Sequence, residues 1–345
     1  MYIYVGVFVL LVLFSFPREQ RIFYNPMLFI LFIICGFRGA NVDRDYQNYQ
    51  FLMHLSASDI FYPIEPTFKV ISWMAVNIFQ YDNLLFILYS AIIIFFKSKF
   101  IKRTSPYILL SLVVYFSNTY LLHDMTQIRV GAASAIAFYA LKYIVEKNRQ
   151  KFFLFLLIAF AFHYTAILFI IALFFDTRRI HFSYILAYSL MVIVVYVAYF
   201  FGINVLTLLS YVNVPYVQAK YSDYVAQNAS VDFVPINVYS ALQFIHLTIV
   251  YYSFFAFRKI QGPSEIILIT KLYTLAPLAL VLFSFIPVFS LRISELFSVA
   301  EIVLLPALVA LTRQKMISKL FVIAVAICMF YINIFHVGIL NDYSF

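Results

Sequence analysis

Long apolar runs recur along the whole chain, near residues 1 to 16, 22 to 37, 83 to 97, 105 to 122 and 127 to 146. They continue at 183 to 201, 238 to 257, 265 to 286, 292 to 311 and 317 to 337. Each approaches the roughly 20 apolar residues that a helix needs to cross a bilayer, with shorter runs accommodated by tilt or thinning. A further run, 150 to 175, has His163 at its centre and reads either as one long helix or as two short ones. The segment IEPTFKVISWMAVNIFQ, residues 64 to 80, mixes apolar residues with Glu65, Lys69 and Trp73, and that mixture suits an interfacial or re-entrant helix.

Basic residues orient these runs, because connections on the cytoplasmic side concentrate Lys and Arg. Six clusters stand out: Arg18 with Arg21; Lys97, Lys99, Lys102 and Arg103; Lys142, Lys147, Arg149 and Lys151; Arg178 with Arg179; Arg258 with Lys259; and Arg313, Lys315 and Lys319. All fall on one side if 150 to 175 crosses twice and 64 to 80 does not cross. The expectation is an all-α polytopic membrane protein of about 12 spans, within a range of 11 to 14, with both termini outside. Two larger outer-face loops follow, near 38–82 and 202–237, and both hold acidic, Tyr and Asn residues. The opening run lacks a basic leader and a small-residue cleavage site, so it reads as the first span.

Composition agrees. Hydrophobic residues make up 65% of the 345 and charged residues 11%, against about a quarter charged in soluble domains. Mean hydropathy is +0.94. Residues 1–345 therefore read as a single transmembrane domain. The net charge of +9 is explained by topology, which leaves no case for nucleic acid. Cys35 and Cys328 lie within apolar runs without metal-ligand spacing. Only seven glycines are present, fewer than broken-helix transporters generally use.

The basic residues outside the six clusters carry the chemical information: Arg38, Arg44, Lys69, Arg129, Lys220, Lys271 and Arg292. Charge at membrane depth is costly and normally faces a cavity or a partner. Arg129 and Arg292 fall where helices are expected to begin at the outer face, and a cation there opposes the helix dipole. A bound anion, above all a diphosphate, would reconcile both positions through bidentate contacts. The alternative is an ion pair of Arg129 with Asp124, or of Arg292 with Glu295. The string FRGANVDRDYQNYQ adds Arg38, Asp43, Arg44, Asp45, Tyr46 and Tyr49, groups that suit sugar hydroxyls and ring faces or form a solvated loop with local Asp and Arg pairs. Glu65 precedes Pro66 and reads as a helix-start charge or a base. His123 and His163 are each either a hydrogen-bonded core residue or an acid–base group. The nearest pattern to a DxD metal signature, Asp43-Arg44-Asp45, carries a cation between its carboxylates, and no cofactor motif occurs.

In this order, RGANVDRDYQNY, Glu65 ahead of an amphipathic helix, TQIRVGAASAIAFYAL, FAFHYTAIL and LRISELF resemble the EpsG and Wzy-type bacterial polysaccharide polymerases, the group of the O-antigen and capsule polymerases. The resemblance implies a GT-C-related helical bundle in the bacterial inner membrane with its active site facing the periplasm. It implies a glycosyltransferase that joins undecaprenyl-diphosphate-linked oligosaccharides without metal or cofactor, with the bilayer and a chain-length regulator protein as partners. Asp43, Asp45, Tyr46 and Tyr49 match the family's polar string, Gln127 and Arg129 its Gln-x-Arg helix start, His163 its histidine and Arg292 its late arginine. Asp43, Asp45, Glu65 and His163 are then candidates for the base. Arg129 and Arg292, with Arg38, Arg44 and Gln127, are candidates for the diphosphate, and Tyr46, Tyr49 and His123 for sugar. Arg44 and the His123–Asp124 pair depart from the family pattern. A lipid-oligosaccharide flippase, another lipid-dependent glycosyltransferase or ligase, and a membrane acyltransferase are the competing readings.

Overall fold

The computed structural model describes residues 1–17, 20–59, 61–203, 218, 222, 235–262 and 264–344. Among these residues it is helical throughout and contains no strand, the nearest feature being a single β-bridge between Asp43 and Leu340. The chain forms two compact units, residues 1–175 with 301–345, and residues 176–300.

The first unit opens with α1 (Tyr2–Ser15) and α2 (Gln20–Gly36). Next come α3 (Tyr46–Ser58) and α4 (Pro66–Trp73), the latter running on as a π-helical stretch over Met74–Phe79. The segment 64 to 80 is thus one short helix, begun by a proline at a position where no backbone donor is needed. Helix α3 lies inside the expected outer-face loop 38–82. Tyr46, Tyr49, Met53 and Ser56 are its buried residues, and their spacing marks one helical face.

Helix α5 (Leu84–Thr104) ends at the extended Ser105, which precedes Pro106. Helix α6 (Ile108–Tyr115) passes into a π-helical stretch, Phe116–Asp124, and a turn then leads to α7 (Ile128–Val145). Gly131 allows the close approach there. A Cβ on it would lie 3.0 Å from the His123 carbonyl oxygen and 3.2 Å from Asp124 Oδ1.

The run 150 to 175 is split: α8 (Arg149–Phe162) stops at His163, whose backbone is extended, and a 3₁₀ helix over Tyr164–Phe174 follows. The unit closes with α14 (Glu301–Leu311) and α15 (Lys315–Tyr331), which continues as a π turn to His336. Residues 337–344 then fold over the 38–45 loop. Gly39 N donates to Ser344 O at 2.8 Å, Asn341 N to Val42 O at 2.9 Å, and Arg44 Nη2 to Val337 O at 3.0 Å.

The second unit holds α9 (Phe182–Phe200), α10 (Ala241–Phe257), α11 (Glu265–Tyr273), α12 (Leu275–Leu282) and α13 (Pro287–Ser298). Tyr184 and Tyr188 of α9 meet the Phe254 ring of α10 edge-on. Lys271 Nζ donates to the carbonyls of Asp176 and Arg179 at 2.6 and 3.0 Å, which holds this cation within the unit. Most of the second expected outer loop, 202–237, including Lys220, lies outside the described residues, and so does Arg18.

Five of the described helices are long and apolar enough to cross a membrane: Leu84–Thr104, Ile128–Val145, Phe182–Phe200, Glu265–Leu282 and Lys315–His336. Counting α13 and α14 as one span gives six. The shorter apolar helices, such as Tyr2–Ser15 and Ala241–Phe257, reach only ~21 to 26 Å at 1.5 Å per residue, against a hydrocarbon core of ~30 Å.

Two sequence expectations are corrected. Arg292 is not in a first turn, because Pro287 starts the helix and leaves Arg292 exposed in its middle. Lys97 does not belong to a basic connection, because α5 runs past it to Thr104 and buries it.

Candidate acid–base and anion site

Glu65 caps the start of α4 and is 3% exposed, a burial that a carboxylate tolerates only with partners. It has two. Arg129 Nη1, in the first turn of α7, donates to Glu65 Oε2 at 2.6 Å, and His163 Nδ1, at the break after α8, lies 2.5 Å from Glu65 Oε1. Residues separated by about a hundred positions in sequence therefore share one carboxylate. The break at His163 makes this possible. Its extended backbone ends α8, and Thr67 Oγ1 of α4 donates to the carbonyl of Ala161 at 2.6 Å, fastening α4 to that break.

The three side chains differ in access. Arg129 is 24% exposed and His163 13%, while Glu65 lies behind them. Arg129 Nε is buried with no hydrogen-bond partner among the described residues, while the rest of the guanidinium is partly open. Tyr49 and Phe68 wall the group, with their ring centroids 5.7 and 5.6 Å from the guanidinium carbon. Burial pushes the Glu65 carboxyl toward neutrality. The hydrogen bond from His163 and the charge of Arg129 outweigh it and hold the group below its ordinary range. An ionised Glu65 accepts from His163 Nδ1–H, which leaves Nε2 as the nitrogen able to exchange a proton.

The other predicted residues fall into two further groups. Arg38 is fully buried. Its Nε donates to Asp43 Oδ2 at 2.7 Å, its Nη1 to the Cys35 carbonyl at 2.5 Å, and its guanidinium lies 4.4 Å from the Phe86 ring centroid. Asp43 Oδ1 also accepts from Asp45 N at 2.9 Å, and Asp45 stands at the N-terminal boundary of α3. Tyr46 OH donates to Asn83 Oδ1 at 2.5 Å while its ring stacks on Phe86. This group is a knot that fixes the 38–45 loop. Arg44 is exposed beside it, and Gln127 stands at the N-cap of α7. Among the described residues, no three His, Cys, Asp or Glu side chains converge as a metal-ligand set.

The remaining group was not expected from sequence. Lys97 Nζ lies 2.5 Å from Asp124 Oδ1, both side chains are almost wholly buried, and Tyr115 OH donates to Asp124 Oδ2. Asp124 is thereby taken by Lys97, and Arg129 pairs with Glu65 instead. His123 is buried next to this pair, and neither of its ring nitrogens has a hydrogen-bond partner. The available signal was Lys97 itself, which follows the run AIIIFF without a turn residue between.

The profile of the EpsG family matches residues 21–344. The chain belongs to the EpsG family. Every residue of the Glu65 group lies within the EpsG match. A curated protein, the Amylovoran biosynthesis protein AmsC of Erwinia amylovora, is 29% identical over 165 residues, which cover 44% of this chain and 44% of that protein. The similarity thus spans less than half the length of either. No solved structure matches this EpsG family chain. Its apolar helices make it a multi-pass membrane protein.

Proposed function

We propose that this chain is a polysaccharide polymerase, a glycosyltransferase that joins undecaprenyl-diphosphate-linked oligosaccharide units at the outer face of a bacterial inner membrane. The observation that carries the reading is the shared Glu65 carboxylate, which presents one histidine and one arginine, both partly open, inside an aromatic wall. Membership of the EpsG family and the likeness to an amylovoran biosynthesis protein support a role in extracellular polysaccharide synthesis. In this reading residues 1–345 act as one transmembrane polymerase domain of about twelve crossings, GT-C-related, with the 38–82 segment facing outward. A chain-length regulator is its partner in the membrane.

The reaction needs two things from the protein: a base for the incoming sugar hydroxyl and positive charge on the departing diphosphate. His163 Nε2 accepts the hydroxyl proton as the hydroxyl oxygen bonds to the anomeric carbon of the growing chain. The bond from that carbon to the diphosphate oxygen breaks, and the diphosphate leaves on its lipid. Arg129 meets the charge that develops there, with Arg44 and Gln127 as further candidates for the lipid-linked diphosphate. Glu65 is a positioning residue that sets the His163 tautomer and the Arg129 fork. Asp45 remains a candidate base, and Tyr46 and Tyr49 candidate sugar contacts.

Reconstitution with an undecaprenyl-diphosphate-linked repeat unit tests this. A ladder of polymer with stoichiometric release of undecaprenyl diphosphate is expected, and Arg129→Ala should abolish both. Undiminished polymer from an inserted Arg129→Ala protein would remove the assignment. Lipid translocation without polymer would point to a flippase.

A further inference from the structure

The end of α5 remote from the Glu65 group has a second chemical feature, unrelated to the transfer reaction. Phe86 and Tyr89 approach the site just described, whereas Lys102, near the other end of the same helix, borders a cavity of about 960 Å³. Three cations line it: Arg21 at the start of α2, Lys102 of α5 and Lys319 in the first turns of α15. Among the described residues lining it, none is acidic.

Each lysine is held by neutral groups. Lys102 Nζ donates to Asn25 Oδ1 at 2.9 Å and lies 4.9 Å from the centroid of the Tyr24 ring. Lys319 Nζ donates to the carbonyl of Ser15 and lies 4.8 Å from the Phe16 ring. These partners orient the ammonium groups and leave their charge uncancelled. The N-termini of α2, α6 and α15 gather around the same cavity, so the backbone dipoles add to its positive potential. Aromatic and aliphatic walls beside the cations, from Phe16, Ile22 and Tyr24, give the cavity the mixed character of a membrane interface.

We propose that this cavity binds a phosphate group, with the negatively charged head group of an anionic phospholipid as its ligand. The cations contact the phosphate, and the apolar wall takes the glycerol and the first acyl carbons. Three positive charges without an acidic partner among the described residues, at the ends of membrane helices, are otherwise hard to place, and an anionic head group satisfies them all.

The purified full-length chain in neutral detergent is titrated with short-chain phosphatidylglycerol, with phosphatidylcholine and with glycerol 3-phosphate, and binding is read by native mass spectrometry. Phosphatidylglycerol should bind about tenfold more tightly than phosphatidylcholine, and an Arg21→Gln/Lys102→Gln double variant should lose that preference. Both substituted side chains are exposed, so the variant should stay monodisperse. Lys151→Gln, a basic residue away from the cavity, should leave the preference unchanged. Glycerol 3-phosphate competing as well as the lipid would keep the phosphate site but assign it to a soluble ester. No preference in the unsubstituted chain, or the same preference in the double variant, would overturn the proposal.

Discussion

Two buried carboxylates, Glu65 and Asp124, sit in the same unit, each bonded to one cation and one further donor, yet their surroundings differ in every respect that matters for chemistry. Asp124 is sealed with Lys97 and Tyr115, its Oδ1 lies against Gly131, and its backbone carbonyl accepts from the Cys35 thiol at 2.9 Å. Glu65 is equally buried, but its partners Arg129 and His163 reach the surface. A closed charge pair holds helices together, whereas a charge whose partners are open transmits its influence outward. Burial of an ion pair is therefore not the mark of a site; the access of its partners is.

The largest expected effect separates the two groups by activity. His163→Ala should lower the rate of polymer formation by about 10² to 10⁴, the usual contribution of a positioned acid or base, with a smaller loss of thermal stability than Lys97→Met because Arg129 still pairs with Glu65. A rate within a few-fold of the unsubstituted protein would put His163 among the structural residues and the comparison would collapse.

The converse experiment acts on Lys97. Lys97→Met leaves Asp124 buried and unpaired, a defect that costs about 3 to 5 kcal/mol, so the melting temperature in detergent should fall steeply. The polymer rate per folded molecule should change little. Adding Asp124→Leu should recover much of the stability, because removing both charges also removes the desolvation penalty. A lost specific activity at normal stability would place Lys97 in the chemistry.

The long apolar runs were legible because uniform apolarity over a helix length points to little besides a membrane helix. That fixed the helical class and the positions of α5, α7, α9 and α15. The break at His163 was also legible, since a polar residue centred in a long run permits two helices. Helix α3 was missed because its residues are polar enough to read as a loop, and only the Tyr46, Tyr49 and Met53 spacing betrays it. At the site, the residue types were visible but their pairing was not. Arg129 is five positions from Asp124 and far from Glu65 in sequence, yet the turn at Met125 leaves Asp124 facing Lys97 while α4 carries Glu65 to Arg129. Pairings of that kind depend on which helices are neighbours, and a single sequence does not encode that locally.

A smaller effect is expected for Arg129→Lys, which keeps the charge but loses the planar fork that can serve Glu65 and an anion at once. The rate should fall about tenfold, consistent with losing one charge-assisted hydrogen bond, and less than for Arg129→Ala. Equal rates for the lysine and alanine variants would mean that geometry, rather than charge, is what Arg129 supplies.

The smallest effect sharpens the role of Glu65 itself. Its carboxyl is held below the ordinary 4.5 because the His163 bond and the Arg129 charge outweigh burial. A carboxyl depressed in the folded state contributes stability that is fully present above its unfolded value and is lost as pH falls through the lower folded value. The melting-temperature gap between the unsubstituted protein and Glu65→Gln should hence be constant from neutral pH down to about 4.5 and should narrow below it. Other carboxylates titrate in both proteins and cancel in the difference. A gap that widens with acid would mean that burial dominates and that Glu65 is protonated in the folded state. It would then no longer provide the negative charge that orients His163, and the distinction drawn between the open and the sealed carboxylate would fail at its centre.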